Sequence, residues 1–175
     1  LKSCRKKQAG YKEPSFTTIS GYNSNGAIIH YTPTVSSNAT LESKGVLLVD
    51  SGGQYSDGTT DITRTIALGP LTPKMKEYYT AVLKAHIALA SAEFSEGTTG
   101  ADLDAVTRKP LTDLGLNYNH GTGHGVGHML SVHEGPQNIS PRRNSQQMLP
   151  GMITSNEPGV YIPGEFGIRL ENEIL

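Results

Sequence analysis

Between His120 and Pro136 the chain reads HGTGHGVGHMLSVHEGP, a stretch that holds four of the protein's six histidines. Glycines at 121, 123, 125 and 127 alternate with His120, Thr122, His124, Val126 and His128. Two histidines four residues apart suggest a helical metal motif. A glycine at every second position argues against it, because each costs roughly 1 kcal/mol in a helix. Extended backbone is the expectation, and its period of two puts His120, Thr122, His124 and His128 on one side. The other side carries no side chains, so a second backbone or a ligand can approach it closely. Taken alone, the stretch also reads as a glycine-rich loop with surface histidines.

The carboxylates around it narrow the choice. Asp50 and Asp61 lie upstream, Glu157 and Glu171 downstream. Four carboxylates and one imidazole can hold two divalent cations, whose four positive charges the carboxylates match. The set is rich in oxygen and free of thiolate, which suits harder ions: manganese first, with cobalt, iron or zinc as alternatives. Two ions about 3.5–4 Å apart can share a bridging hydroxide that attacks a carbonyl. Glu157 is placed to take its proton and pass it to a leaving amine. His133 or His120 can donate a hydrogen bond to the oxyanion. Serine-nucleophile chemistry lacks its G-x-S-x-G elbow, and no phosphate-binding glycine motif is present.

Length and charge bound the remaining possibilities. The 175 residues suffice for one domain with a core, and the formal net charge of -1 gives no reason to expect nucleic acid or a membrane surface as partner. No apolar run approaches the roughly 20 residues of a membrane span. Cys4 is alone, so no disulfide forms within the chain, and a reducing, cytoplasmic setting is expected. The chain begins at Leu1 and stops just after its last acidic cluster, as a piece of a longer protein would.

In order, residues 1–9 are helix-permissive, Gly10 to Ser15 read as a connection, and Phe16 to Ser20 as a short strand. Gly21 to Gly26 is rich in turn residues. Ala27 to Tyr31 looks like a strand, and His30 within it reads either as a buried, satisfied histidine or as a ligand-facing one. Val46 to Asp50 and Ile62 to Leu68 are strand-like. Pairing around Tyr55–Ser56 sets Asp50 opposite Asp61, with Gly52, Gly53, Asp57 and Gly58 supplying turn chemistry and Asp57–Gly58 able to shift the register. Thr72-Pro73 opens a helix over 74–94, with Met75, Tyr79, Val82, His86, Leu89 and Phe94 near one stripe; His86 reads as packed rather than ligating. A second helix covers Asp102 to Leu114, with Pro110 inside and Gly115 after it. Asn138 to Gln147 is loop-like. Met152 to Ser155 is a strand leading to Glu157, Gly159 to Gly167 is turn and hairpin, and Gly167 to Leu175 is a final strand. Its alternation puts Arg169, Glu171 and Glu173 on one face, and an arginine there can orient a ligating carboxylate. Helices followed by strands recur, which suggests two similar halves.

The strings GAIIHY (26–31), DSGGQYSDGTTDITRT (50–65), HGTGHGVGH (120–128), VHEGP (132–136), EPGVY (157–161) and FGIRLEN (166–172) together resemble the catalytic domain of the aminopeptidase P (X-prolyl aminopeptidase) family. These are pita-bread metallopeptidases, alongside prolidase and methionine aminopeptidase. The resemblance implies an α/β fold in which two pseudo-symmetric halves surround a curved antiparallel sheet. It implies two metal ions held by Asp50, Asp61, His124, Glu157 and Glu171. His30, His120 and His133 then face the substrate, with Arg169 and Tyr161 beside them. The implied activity removes the first residue from peptides whose second residue is proline; an X-Pro dipeptidase of the prolidase type and a non-catalytic binding module are the alternatives. Full-length members carry one or two extra N-terminal domains and commonly form homodimers. A catalytic-domain helix before Leu1 and further chain after Leu175 are also implied.

Overall fold

A computed structural model describes residues 1–175. Its elements, in chain order, are α1 (Lys2–Arg5), β1 (Tyr11–Glu13), β2 (Ile19–Tyr22), a 3-10 turn (Asn23–Ala27), β3 (Val46–Tyr55), β4 (Gly58–Ala67), α2 (Pro73–Ala90), α3 (Gly100–Thr112), β5 (Gly123–His124), β6 (Asn138–Ile139), β7 (Thr154–Asn156), β8 (Gly159–Ile162), β9 (Phe166–Arg169) and β10 (Asn172–Ile174). All strand pairs are antiparallel. β3 pairs with β4 along one edge and with β1 and β2 along the other; β5–β6, β7–β10 and β8–β9 form three small ladders.

The β3–β4 hairpin is the longest regular unit. Its inward β4 face is Thr59, Asp61, Thr63 and Thr65, all buried, alternating with less buried residues. β-Branched threonine suits a strand, and its hydroxyl satisfies buried polar neighbours. The turn is only Ser56-Asp57, because Tyr55 pairs with Gly58. Gly52 and Gly53 therefore lie within β3 rather than in the turn. The register is two residues away from the one expected: Asp50 faces Thr63, and Asp61 faces Gly52. Both aspartates still share one face, since the offset is even.

The core lies between α2, α3 and the strands that follow them. Val82, Ala85, Leu111, Tyr118, Val160, Phe166 and Ile168 form most of it. Thr72 caps α2 by accepting from the Met75 N–H at 3.2 Å, as its position before Pro73 implies. α2 ends at Ala90, so Phe94 lies beyond it and is exposed. α3 starts with a reciprocal Thr99–Asp102 capping box and runs through Pro110 unbroken.

Three expected strands differ. Residues 27–31 are not a strand: the 3-10 turn occupies their start, Tyr31 N–H bonds back to Ile28 at 3.1 Å, and Ile28 is exposed, so the apolar pair marks no buried face. The expected strand at 16–20 is β2, three residues later, where Ile19 to Tyr22 find partners along β3; β1 falls in the stretch read as a connection. The final strand is broken at Leu170-Glu171, because β9 pairs with β8 while β10 pairs with β7. Glu171 sits at that break.

Candidate metal centre

Four segments converge on one point. Asp50 and Asp61 come from the hairpin, His124 from β5, Glu157 from the end of β7, and Glu171 from the break before β10. Their ligand-type atoms fall into overlapping groups within 4.8 Å: Asp50–Asp61–Glu171, His124–Glu157–Glu171, and Asp61–His124–His133. All five expected ligands are included, and His133 stands beside them, its ring edge-on to His124 with centroids 4.2 Å apart.

The alternating glycines let this happen. β5 runs against β7, with Glu157 N–H donating to Thr122 O at 2.8 Å. A Cβ at Gly123 would stand 1.9 Å from Ser155 O, and one at Gly125 would stand 2.1 Å from Glu134 O. The bare side expected from the sequence is thus filled by backbone. Only part of the stretch is extended, however. His128 is exposed and reaches the Ser56 carbonyl, and Thr122 is buried against Asp104 and Tyr118, so neither shares the site with His120 and His124.

Three of the five groups are held by one atom and leave another free. Asp50 Oδ2 accepts from Arg169 at 2.7 Å, while Oδ1 has no partner. Glu171 Oε2 accepts from Thr63 at 2.7 Å, while Oε1 has none. His124 Nδ1 is 2.9 Å from the Gly125 carbonyl, which can only accept, so this nitrogen carries the proton. Its Nε2 has no hydrogen-bond partner and lies 3.5 Å from Asp61 Oδ2 and 3.3 Å from Glu157 Oε1. A buried polar atom without a partner costs about 1–3 kcal/mol. Here the unpartnered atoms are the types that bind divalent cations, and they converge. The imidazole orientation fixed by a backbone carbonyl is also that of a metal-ligating histidine. The residues fit a carboxylate-rich divalent-metal centre.

The charges act accordingly. Burial pushes Asp50 up to about 6, against the pull of Arg169 and with the push of Asp61. Burial and the neighbouring Glu157, Asp61 and Asp50 hold Glu171 well above the carboxylate range. Burial lowers His124, but Asp61 and Glu157 more than offset it and lift the ring to about 10. Glu157 is opposite: burial raises it, yet His124, His120 and Arg169 keep it below its ordinary value. The cluster by itself competes for protons that cations would displace.

Beside the cluster is a cavity of about 1010 Å³, walled by His30, His120, His133 and Arg169 among others. Tyr161 is not on its wall. Its hydroxyl lies behind, accepting from Arg169 at 2.8 Å and meeting His120 Nε2 at 2.8 Å. His120 Nδ1 donates to the Gly121 carbonyl at 2.7 Å, so neutral His120 accepts from Tyr161 through Nε2. Burial lowers its pKa, against the pull of Glu157. In this arrangement His120 has no free N–H for a substrate oxyanion.

Several residues support the ligands in ways the sequence did not indicate. Ser155 donates to Glu157 Oε1 at 3.1 Å, Thr63 to Glu171, and Glu173 accepts from the Asp61 N–H at 2.9 Å. Thr63 and Ser155 each stand two positions from a ligand, so strand alternation was the signal that could have found them. The Asp104–Arg108 pair had no such signal. Arg108 bonds Asp104 at 2.7 Å and the carbonyls of Tyr118 and His120 at 2.7 and 2.8 Å, tying the histidine loop to α3.

An antiparallel α/β scaffold thus gathers buried carboxylates and one imidazole into a candidate divalent-metal centre. The chain belongs to metallopeptidase family M24, whose profile matches residues 1–175. It is 49% identical over 177 residues to Xaa-Pro aminopeptidase 1 of Dictyostelium discoideum, covering 100% of this chain and 28% of that protein. It is 53% identical over 169 residues to aminopeptidase P2 of Arabidopsis thaliana, covering 96% and 24%. The chain thus spans about a quarter of the length of these relatives. Among solved structures, the X-prolyl aminopeptidase of Caenorhabditis elegans, described as a cytosolic enzyme with a di-nuclear active site, superposes with a TM-score of 0.94 at 43% identity, over 98% of this chain and 28% of that one. The prolidase of Pyrococcus furiosus gives 0.85 at 32% identity, over 95% and 48%.

Proposed function

We propose that this protein is a two-metal aminopeptidase that releases the first residue from peptides with proline in second position. The observation that carries the proposal is the convergence of Asp50, Asp61, His124, Glu157 and Glu171 beside a histidine-walled cavity, with unpartnered ligand-type atoms on Asp50, His124 and Glu171. These five residues would hold the ions, and their oxygen-rich set favours manganese. When bound, such ions supply a nucleophilic hydroxide at neutral pH and polarise a carbonyl.

The chain's own residues supply the rest. Glu157, kept below its ordinary pKa, receives a proton and returns it to the leaving amine. His133, whose pKa partial burial lowers, carries the oxyanion hydrogen bond, since its ring stands at the cluster whereas His120 is committed to Gly121 and Tyr161. Arg169 fixes Asp50 and, through Tyr161, orients His120. His30, which also lines the cavity, positions substrate. An X-Pro bond has no N–H, so selectivity must come from ring shape and from contacts to flanking carbonyls, which histidine donors can make.

A prolidase-type dipeptidase is the second reading, favoured by the close superposition on a prolidase. Higher identity to the aminopeptidases supports the first. The test is steady-state kinetics of the full-length protein, with matched metal loading, on Arg-Pro-Pro, Arg-Ala-Pro and Arg-Pro. Strong preference for Arg-Pro-Pro is expected. Equal efficiency on Arg-Ala-Pro removes the proline assignment, and preference for Arg-Pro replaces it with the dipeptidase. We further place the enzyme in the cytoplasm as a homodimer.

A further inference from the structure

We propose that His86 is a positioning residue for the metal centre, holding the strands that bring Glu157 and Glu171 together. This rests on the metal-centre reading above but assigns a role to a residue outside the ligand set and outside the cavity wall. His86 is buried on α2. Its Nδ1 lies 3.1 Å from the carbonyl of Asn156, the residue before Glu157. Its Nε2 lies 3.2 Å from Nδ2 of Asn172, the residue after Glu171. Asn156 and Asn172 are direct partners in the β7–β10 ladder, so one imidazole ring touches both strands where they leave for the metal centre.

The hydrogen-bond directions are determined by the neighbours. Asn172 Oδ1 accepts from Arg64 at 2.8 Å, which turns the amide NH2 toward His86. Nε2 must then accept, and Nδ1 must carry the proton that the Asn156 carbonyl receives. Asn156 returns a bond from Nδ2 to the backbone carbonyl of His86 at 2.9 Å. Burial depresses the His86 pKa, consistent with a neutral ring. A rigid ring with one donor and one acceptor spans the pair at a fixed distance. Arg64 completes the clamp by donating to the Glu171 carbonyl at 2.6 Å. Ordinary packing needs an apolar side chain of this size and none of these bonds. Groups that orient ligands in this way typically cost 10–100-fold in metal affinity when removed.

The experiment measures Mn2+ affinity by calorimetry, and the visible spectrum of the Co2+-loaded form, in the full-length protein. His86→Leu keeps the bulk and removes both ring bonds; about 10–100-fold weaker binding and an altered Co2+ spectrum are expected. His86→Asn keeps a donor near Nδ1 and should recover most of the affinity. Asn172→Ala changes an exposed residue, so the fold is retained while the Nε2 bond is lost; a drop on the order of 10-fold is expected. Wild-type affinity and spectrum in Asn172→Ala, together with either a wild-type His86→Leu or a His86→Asn as impaired as His86→Leu, overturn the proposal. Should His86→Leu not fold, Asn172→Ala and His86→Asn decide it: weakened binding in the first with recovery in the second supports positioning, and any other pattern overturns it. Failure of the wild-type protein to bind Mn2+ overturns the metal reading together with this one, and is distinguished by occurring without any substitution.

Discussion

The β3–β4 hairpin and the 120–133 loop both line the cavity, and they place their functional groups by opposite means. The hairpin is a continuous ladder of ten residue pairs from Val46–Ala67 to Tyr55–Gly58. Its aspartates point inward because strand geometry makes them, and moving one would move the register of the others. The loop has only Gly123–His124 in a ladder. Its histidines are aimed by contacts from elsewhere: Arg108 holds the His120 carbonyl, Ser155 Oγ receives the His124 N–H at 3.0 Å, and Gln54 donates to the Leu130 carbonyl at 2.9 Å. A ladder carries its precision in the backbone. A glycine-rich loop borrows its precision from buried polar partners.

The largest expected effect separates metal binding from chemistry. Asp61→Asn on the hairpin should lose metal and nearly all turnover. His133→Phe on the loop should keep both ions while kcat falls about 10²–10³-fold with KM little changed. Elemental analysis beside steady-state kinetics reads both. Metal loss in His133→Phe would make His133 a sixth ligand, as its place in the Asp61–His124 group allows.

Next is the loop's dependence on α3. Arg108→Met leaves Asp104 buried without its ion pair and should destabilise the fold by about 3–5 kcal/mol in urea unfolding. The Lys109–Asp113 pair one position along is exposed, and its removal should change little. Equal effects would mean that the buried pair does not anchor the loop.

A smaller contrast compares glycines. Gly123→Ala forces a Cβ against Ser155 O and should cost about 1–3 kcal/mol. Gly58→Ala, at the hairpin turn, meets nothing within 4 Å and should be nearly neutral. Similar melting temperatures for the two variants would contradict the close backbone approach.

The smallest effect concerns pH in protein stripped of metal by chelation. Glu173, pushed up to about 7 by burial, and Glu171, held well above the carboxylate range, bind protons more tightly folded than unfolded, so their contribution is lost as pH rises through their folded-state values. His124 acts in the same sense, its stabilisation being complete below the unfolded imidazole value and lost toward about 10. His86, His120 and His133 are depressed and oppose this only below about 6.5, the unfolded imidazole value. The melting temperature of stripped protein should therefore fall from pH 7 to pH 9, and added Mn2+ should flatten the profile. A rise over that interval would contradict the crowding of carboxylates.

The sequence by itself determined which chemical groups were available and most of their local setting. Thr72-Pro73 announced α2, alternating glycines announced a close backbone approach, and the carboxylates bracketing His124 announced a cation site. These are local signals, set by cap chemistry, steric freedom and charge. Tertiary structure alone decided the rest. The hairpin register followed from a Ser56-Asp57 turn rather than Tyr55–Ser56, a difference of one residue at the tip. Residues 27–31 gave up a strand because no neighbouring edge receives them, and 167–175 broke because two different strands do. Tyr161 and Arg169 share a motif-rich segment, yet only Arg169 reaches the cavity, while the tyrosine hydroxyl is spent between Arg169 and His120. Pairing partners and buried hydrogen-bond directions depend on groups distant in the chain, and no local pattern encodes where those groups will stand.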